Sequence, residues 1–415
     1  MAYGKIERDL FKEELNSIKK AGIFKEERII HTPQNSKIGV VFPKGSAQKE
    51  LINMCSNNYL GLSSHPDVVQ AAHRGLDSRG YGLSSVRFIC GTQDIHKQLE
   101  DKLTRFLGTE DTILFPSCLD ANAGVFEALL SEEDVMIADR LVHASIVDGM
   151  RLARAQTDTF KHSDMNHLEK KLQLHRDKRL KVIITDGAFS MDGDLAKLDR
   201  ISQLAEAYQA LVFVDDSHAT GFIGKNGRGT HEYFEVVGKI DIITTTLGKA
   251  LGGASGGCVS GRREIVEICR QKARPYLFSN TIAPVIVYAA NHVMDMISKT
   301  SEAKDRLHKN TDFWRKGLQG AGFIIKEGQT PIVPVMLFNA RLSQDFASEL
   351  YSQGIYAIGF FFPVVPRGQA RIRTQLSASH QMTDLERALD AFVKIGKKFD
   401  ILFKSKQEVI EKYGN

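Results

Sequence analysis

Between residues 112 and 244 the chain alternates short apolar runs with stretches of helical period, and this alternation narrows the possible folds more than any other feature. Runs at 112–115, 135–138, 182–185, 211–214 and 240–244 read as strands, and helical patterns lie near 120–130, 145–155, 165–176 and 198–209. Strands this continuously apolar, separated by helices, predict an α/β fold with a mostly parallel sheet covered on both faces. In such sheets ligands sit beyond the C-terminal strand ends. The polar clusters fall there: Pro116-Ser117-Cys118, His143, Asp186 with Ser190, Asp215-Asp216-Ser217-His218, and Thr246-Leu247-Gly248-Lys249. Groups far apart in sequence are expected to converge on one pocket.

The flanks are read more coarsely. A helix is expected at 6–21, ended by Gly22, followed by an extended arm over 25–50 of the kind that wraps a partner subunit. A short strand at 51–55 leads into the polar turn Ser56-Asn57-Asn58-Tyr59-Leu60-Gly61. Helices at 66–78 and 94–107 enclose a glycine-punctuated loop. After Pro284 one long helical stretch runs to about 316, and strands at 331–338, 355–361 and 370–374 with helices at 342–353 and 383–399 form a smaller α+β unit. The expected organisation is a helix and arm over 1–60, a large α/β domain that binds the cofactor over 61–290, and a small α+β domain over 291–415. Arg371 and Arg373, two apart on a strand, share a face.

Bulk properties exclude some functions. A net charge of +5 over 415 residues offers no case for nucleic acid. No stretch approaches the ~18 apolar residues of a membrane span. The N-terminal residues carry no apolar signal region, and the five cysteines are scattered without Cys-x-x-Cys spacing. A cytoplasmic protein with reduced thiols and no metal site is expected.

The chemistry centres on Lys249. It stands in Thr244-Thr-Thr-Leu-Gly-Lys249-Ala-Leu-Gly-Gly-Ala-Ser-Gly-Gly257, where five of fourteen residues are glycine. Burial there would lower the pKa of its amine, as a nucleophile or Schiff base needs. A surface lysine beside a flexible loop is the plainer alternative. The glycines after it read as room for the backbone near a cofactor and a subunit contact. Asp215 and Asp216 end an apolar strand, where an unpaired carboxylate is costly; an N-cap role competes. His218 could donate to a ligand oxygen, and His143 could stack on an aromatic ligand or be structural. Ser190 could donate to phosphate or cap its turn. Arg373 could grip a carboxylate bidentately or lie on a solvated face. Together these groups suit pyridoxal 5'-phosphate (PLP), which needs a Schiff-base lysine, a carboxylate on its ring nitrogen and phosphate donors.

Val214-Asp-Asp-Ser-His218, the segment 246–257 and Ser56-Asn-Asn-Tyr-Leu-Gly61 resemble the α-oxoamine synthases, fold-type I PLP enzymes that condense an amino acid with an acyl-CoA. The resemblance runs from about residue 5 to 402. Gly22-Ile-Phe-Lys-Glu-Glu-Arg-Ile-Ile30, Ser85-Val-Arg-Phe-Ile-Cys-Gly-Thr-Gln-Asp94, Arg274-Pro-Tyr-Leu-Phe-Ser-Asn280 and the segment 360–375 are similar to the branch that joins glycine and acetyl-CoA. Sister branches make 8-amino-7-oxononanoate or use serine and palmitoyl-CoA, and a non-catalytic subunit of the same fold is a further alternative. The resemblance implies that Lys249 bonds to the cofactor, Asp215 partners the ring nitrogen, His218 donates to the phenolic oxygen and His143 stacks on the ring. It implies phosphate held by the backbone amides of Cys118 and Leu119, cofactor contacts from Ser190 and Thr246, and Phe278 and Ser279 reaching the neighbouring subunit of a homodimer. Asn57 and Arg373 match the positions that hold the amino-acid carboxylate. His143, with or without His218, is expected to polarise the thioester carbonyl as negative charge develops. The implied product is 2-amino-3-oxobutyrate, in a reversible reaction used in threonine degradation. The chain departs from the family pattern at Pro116, Leu119 and Cys258, and His162 is similar to the long-chain acyl branches.

Overall fold

The computed structural model describes residues 3–20, 24 and 26–414. The turn expected at Gly22 lies outside them. Helix α1 (Lys5–Lys20) is followed by strands β1 (Ile29–Ile30), β2 (Lys37–Val41) and β3 (Lys49–Asn53), then by helices α2 (Pro66–Arg79) and α3 (Asp94–Leu107). The alternating region comprises β4 (Asp111–Phe115), α4 (Cys118–Leu129), β5 (Val135–Asp139), α5 (Ala144–Leu152), β6 (Gln156–Phe160), α6 (Met165–Leu174), β7 (Lys181–Asp186), α7 (Leu198–Tyr208), β8 (Leu211–Asp215), α8 (Thr230–Tyr233), β9 (Ile242–Thr246) and β10 (Gly257–Gly261). Then come α9 (Arg263–Lys272), α10 (Arg274–Phe278), α11 (Pro284–Lys299), α12 (Glu302–Gly320), β11 (Ile332–Phe338), α13 (Ala340–Ser352), β12 (Ile355–Tyr356), β13 (Gly359–Phe360), β14 (Ala370–Gln375), α14 (Met382–Lys398) and α15 (Lys406–Tyr413). Among the described residues no helix is long and apolar enough to cross a membrane.

Seven strands form the large sheet in the order β4-β10-β9-β8-β7-β5-β6. The pairs β9–β8, β8–β7, β7–β5 and β5–β6 are parallel, and β10 alone runs antiparallel to its neighbours. Successive side chains on a strand face opposite ways. On β7, Val182 and Ile184 enter the core beneath α4 and α5, while Ile183 enters the core beneath α6 and α7. Both faces are covered, so the central positions are apolar on both sides and the runs show no alternation. Each such side chain contributes about 1.5–3 kcal/mol by burial.

The strands and the long helical stretch after Pro284 differ from the sequence reading in four places. Residues 25–50 are not an extended arm: β1, β2 and β3 join β12 in a four-stranded sheet that buries Ile38, Val40 and Leu51. The apolar run there is short and broken by Gly39, so it carries little periodic signal. The helix expected over 284–316 divides at Thr300–Ser301 into α11 and α12. Thr300 Oγ1 accepts the Glu302 amide (3.2 Å) and Ser301 Oγ donates to Asp305 (2.6 Å), local bonds that compete with the helix. The run 355–361 divides between two sheets as β12 and β13. Strands β6 and β10 had no counterpart in the sequence reading. Gln156-Thr-Asp-Thr-Phe160 is an edge strand with only Phe160 buried. Gly257-Cys-Val-Ser-Gly261 is buried throughout but reads as the end of a glycine loop.

The small sheet, ordered β11-β14-β13, meets the large one at the turn 189–194. Thr330 Oγ1 donates to the Gly193 carbonyl (2.7 Å), Arg371 pairs with Asp192, and Lys326 meets Asp192 at 2.8 Å. His162 bridges the end of β5 to the same turn, with Nδ1 3.0 Å from Asp139 and Nε2 2.8 Å from Asp194. Donor atoms of His162, Asp192 and Asp194 lie within 4.8 Å of one another. Asp192 is already held by two cations and both His162 nitrogens are engaged, so the cluster is an ion-pair network.

Burial opposes charge on His162, but the hydrogen bonds and charges of Asp139 and Asp194 outweigh it and push its pKa up to about 10. A pKa raised by folding stabilises fully below the unfolded value of about 6.5 and loses that contribution as pH rises through the folded value. His162→Asn should therefore lower the melting temperature strongly at pH 6 and little near pH 10.5. Calorimetric melts of both proteins across that range check the trend, and a gap that widens with pH would refute it.

Candidate active site

Asp215 ends β8 and is buried. Its Oδ2 accepts from Asn122 Nδ2 (2.7 Å) and its Oδ1 from the Ser217 amide (3.0 Å). Asn122 is in turn fixed by Thr244, whose hydroxyl donates to Oδ1 (2.8 Å), and it reaches Ser145 Oγ at 2.9 Å. Among the described residues no cation forms an ion pair with Asp215.

Lys249 lies on the loop that joins β9 to β10. The loop is closed by the Leu247 amide donating to the Gly256 carbonyl (2.8 Å), and Thr246 Oγ1 accepts from the Gly248 amide (3.0 Å). Among the described residues the Lys249 amine has no hydrogen-bond partner. Burial lowers its pKa, while the charges of Asp215 and Asp186 act against that shift. Asp186 ends β7 and accepts the His143 amide (3.0 Å). Burial and the charge of Asp215 raise its pKa well above the carboxylate range, which favours the neutral acid. His218 is buried with Nδ1 2.8 Å from the Tyr59 hydroxyl. Burial and the charges of Lys249 and Arg373 hold its pKa well below the ordinary imidazole value, so the ring is neutral.

These groups surround a cavity of about 190 Å³. Lys249, Asp215, His218, His143, Cys118, Leu119 and Thr246 all line it, with Ser117, Ser145, Asp186, Ala188 and Ser217. His143 is the N-cap of α5, and its Nδ1 accepts the Ser145 amide (3.2 Å). Helix α4 begins at Cys118, so the amides of its first turn, including those of Cys118 and Leu119, have no partner within the helix. A larger groove of about 530 Å³, against α3 and the α11–α12 junction, contains none of these residues.

The remaining expected residues lie outside the cavity lining. Arg373 is buried, stacks over Phe360 (4.8 Å) and donates to the Ser190 carbonyl (2.9 Å), while its Nε has no partner among the described residues. The side-chain oxygen of Asn57 meets the Gln375 amide at 2.7 Å. Phe278 is exposed at the end of α10, with Ser279 following as its C-cap. Four residues with defined contacts here had been given no role from sequence: Asn122, Ser217, Tyr59 and Gln375. Asn122 is a lone polar residue in a helix of small side chains, a signal too weak to find. Tyr59 lies within the Ser56-Asn-Asn-Tyr-Leu-Gly61 turn.

The glycines after Lys249 do not line the cavity. Gly253 has φ +77°, and a Cβ there would lie 2.1 Å from Ser63 Oγ. A Cβ on Gly257 would lie 2.4 Å from the Cys118 backbone nitrogen. The first glycine closes the loop against Ser63; the second lets β10 pass the start of α4.

Residues 49–392 match the family of class I and II aminotransferases. The chain is 53% identical over 391 residues to the 2-amino-3-ketobutyrate coenzyme A ligase of Escherichia coli (strain K12), covering 94% of this chain and 97% of that protein. It is 50% identical over 390 residues to the mitochondrial 2-amino-3-ketobutyrate coenzyme A ligase of Homo sapiens, with 94% and 92% covered. Among solved structures, a serine palmitoyltransferase variant from S. paucimobilis with a bound PLP–myriocin aldimine superposes with a TM-score of 0.88 at 27% identity, covering 95% of this chain and 99% of that one.

Asn122→Leu removes the donor to Asp215 Oδ2 and leaves a buried acceptor short of a partner, at a cost of about 1–3 kcal/mol. Gly253→Ala forces a side chain into left-handed backbone and should also cost about 1–3 kcal/mol. Denaturant or thermal unfolding of each variant measures the loss. An unchanged transition for Gly253→Ala would show that Ser63 and the backbone yield without strain.

Proposed function

We infer that this chain, which belongs to the aminotransferase class I and II family of fold-type I PLP enzymes, catalyses acetyl transfer between coenzyme A and glycine, forming 2-amino-3-oxobutyrate and free coenzyme A. The supporting observation is the shared cavity of Lys249 and Asp215: among the described residues the amine has no hydrogen-bond partner and the carboxylate has no cation. These are the two groups that PLP engages from opposite ends. The donor set fits the cofactor. Lys249 would hold it covalently, Asp215 would keep its ring nitrogen protonated, and His143 would cover the ring. His218, Ser190 and Thr246 would face the ring oxygen and neighbouring groups. The amides of Cys118 and Leu119 would receive the phosphate at the positive end of α4, helped by Phe278 and Ser279 across a homodimer interface.

When bound, PLP supplies an electron sink for negative charge at the amino-acid Cα. The chain's own residues do the rest. Arg373 keeps free donors beyond its bond to the Ser190 carbonyl, and with Asn57 it holds the glycine carboxylate. Lys249 Nζ takes the Cα proton; its lowered pKa leaves more of the amine neutral and able to accept. The Cα carbon then bonds to the acetyl carbonyl carbon, and the thiolate of coenzyme A leaves. His143, on the cavity lining, stabilises charge on the thioester oxygen, with His218 as a second donor. The reverse, thiolytic direction serves threonine degradation. The reading includes a cytoplasmic homodimer.

Release of coenzyme A, measured for glycine, alanine and serine crossed with acetyl-, succinyl-, pimeloyl- and palmitoyl-CoA, should be fastest for glycine with acetyl-CoA; a faster pair would reassign the substrates. Lys249→Ala should retain no visible absorbance from covalently held PLP and should lose turnover. Arg373→Met removes a charged hydrogen-bonding partner worth about 1.5–3 kcal/mol, so the KM for glycine should rise by about 10-fold to 100-fold. A glycine KM that stays at the wild-type value would remove Arg373 from the carboxylate site.

A further inference from the structure

Tyr59 has no part in that reaction, yet its hydroxyl sits against a group that does. Its side chain is 0% exposed and packs on Phe222, with ring centroids 4.6 Å apart. The hydroxyl meets His218 Nδ1 at 2.8 Å and the Gln375 amide at 3.2 Å. Among the described residues the His218 ring makes its hydrogen bond through Nδ1 and none through Nε2, and the ring lines the cavity. A neutral imidazole carries its single proton on one nitrogen, and the hydrogen bond made by the other decides which.

The Tyr59 hydroxyl also has one proton, so its two neighbours compete for it. Burial keeps the phenol protonated by raising its pKa. With the Gln375 nitrogen turned toward Tyr59, the amide donates to the phenol oxygen, and the phenol proton must go to Nδ1. With the amide reversed, its nitrogen donates to the Cys55 carbonyl (2.6 Å) and its oxygen faces both Tyr59 (3.2 Å) and Arg373 Nη2 (3.3 Å). That oxygen then already has a charged donor, and Nδ1 remains the shorter contact. In the first arrangement Nδ1 is the only acceptor left for the phenol proton; in the second the Gln375 oxygen can also accept it, and the 2.8 Å contact to Nδ1, shorter than 3.2 Å, points to Nδ1.

We propose that Tyr59 is a positioning residue that fixes His218 as the tautomer protonated on Nε2, so that the ring presents a donor, not an acceptor, to the cavity. The part played by that donor in turnover rests on the function inferred above. The tautomer itself does not, because it is a property of the protein before any substrate is added.

The test uses the full chain labelled with [15N]histidine, with and without PLP, and reads the ring nitrogens of His218 by two-bond proton–nitrogen correlation; His218→Asn identifies the signals. Wild type should show one tautomer, protonated on Nε2. Tyr59→Phe keeps the ring and removes only the hydroxyl; it should show mixed or reversed protonation. In the loaded enzyme Tyr59→Phe should lose roughly tenfold in kcat, a part of the 10²–10⁴ that a positioned proton donor contributes, with little change in the KM for glycine. A wild-type ring protonated on Nδ1 overturns the proposal, whatever the variant does. So does a Tyr59→Phe protein that keeps the single Nε2–H tautomer, even if its activity falls, because the residue would then act through packing alone. If wild type and variant differ in tautomer as expected but no amino acid and acyl-CoA pair is turned over, the positioning role stands and the inferred reaction falls.

Discussion

The bond from Asn122 to Asp215 is the contact on which the rest of the site depends. A carboxylate at the end of an apolar strand is tolerated only if its oxygens are satisfied. One oxygen is answered locally by the Ser217 amide and the other by a side chain from a different element, α4. Because Asn122 is also held by Thr244 on β9, the contact fixes α4 against two strands at once. The start of α4 at Cys118 then falls beside the Lys249 loop, and β10 can pass only because Gly257 has no side chain there. One polar contact, deep in the sheet, thus places an amine, a carboxylate and a helix N-terminus around the same small space.

Lys249, Asp215, His143 and His218 lie far apart in the chain and share that space because parallel strands deliver their C-terminal ends to one edge. This rule needs only the strand–helix alternation, and the alternation is strong where both sheet faces are buried. Five apolar runs marked five of the seven strands of the large sheet. The family resemblance supplied the individual roles, which composition and spacing alone left open between functional and structural readings.

What the sequence hid has physical reasons. Strand β6 lies at the sheet edge and has one buried side chain, so it needs few apolar residues. Strand β10 is buried against glycine-tolerant neighbours and uses Gly, Cys, Val and Ser, a composition indistinguishable from a loop. Asn122 is polar because of a partner 93 positions away, and no local pattern encodes that. Gly253 was legible as a glycine but not as a left-handed residue facing Ser63. Such contacts depend on tertiary geometry that periodicity does not carry.

The turn 189–194 joins the two sheets through Asp192, Gly193 and Ser190, and Ser190 also holds Arg373. The guanidinium therefore rides on one sheet and is registered by the other. Were the sheets assembled a few tenths of an ångström out of place, the error would reappear at the arginine. The joint acts as a gauge: the spacing between the two sheets is read out at a single side chain. Substitutions remote from the pocket that shift this seam would thus be felt first as a displaced guanidinium, before any loss of fold.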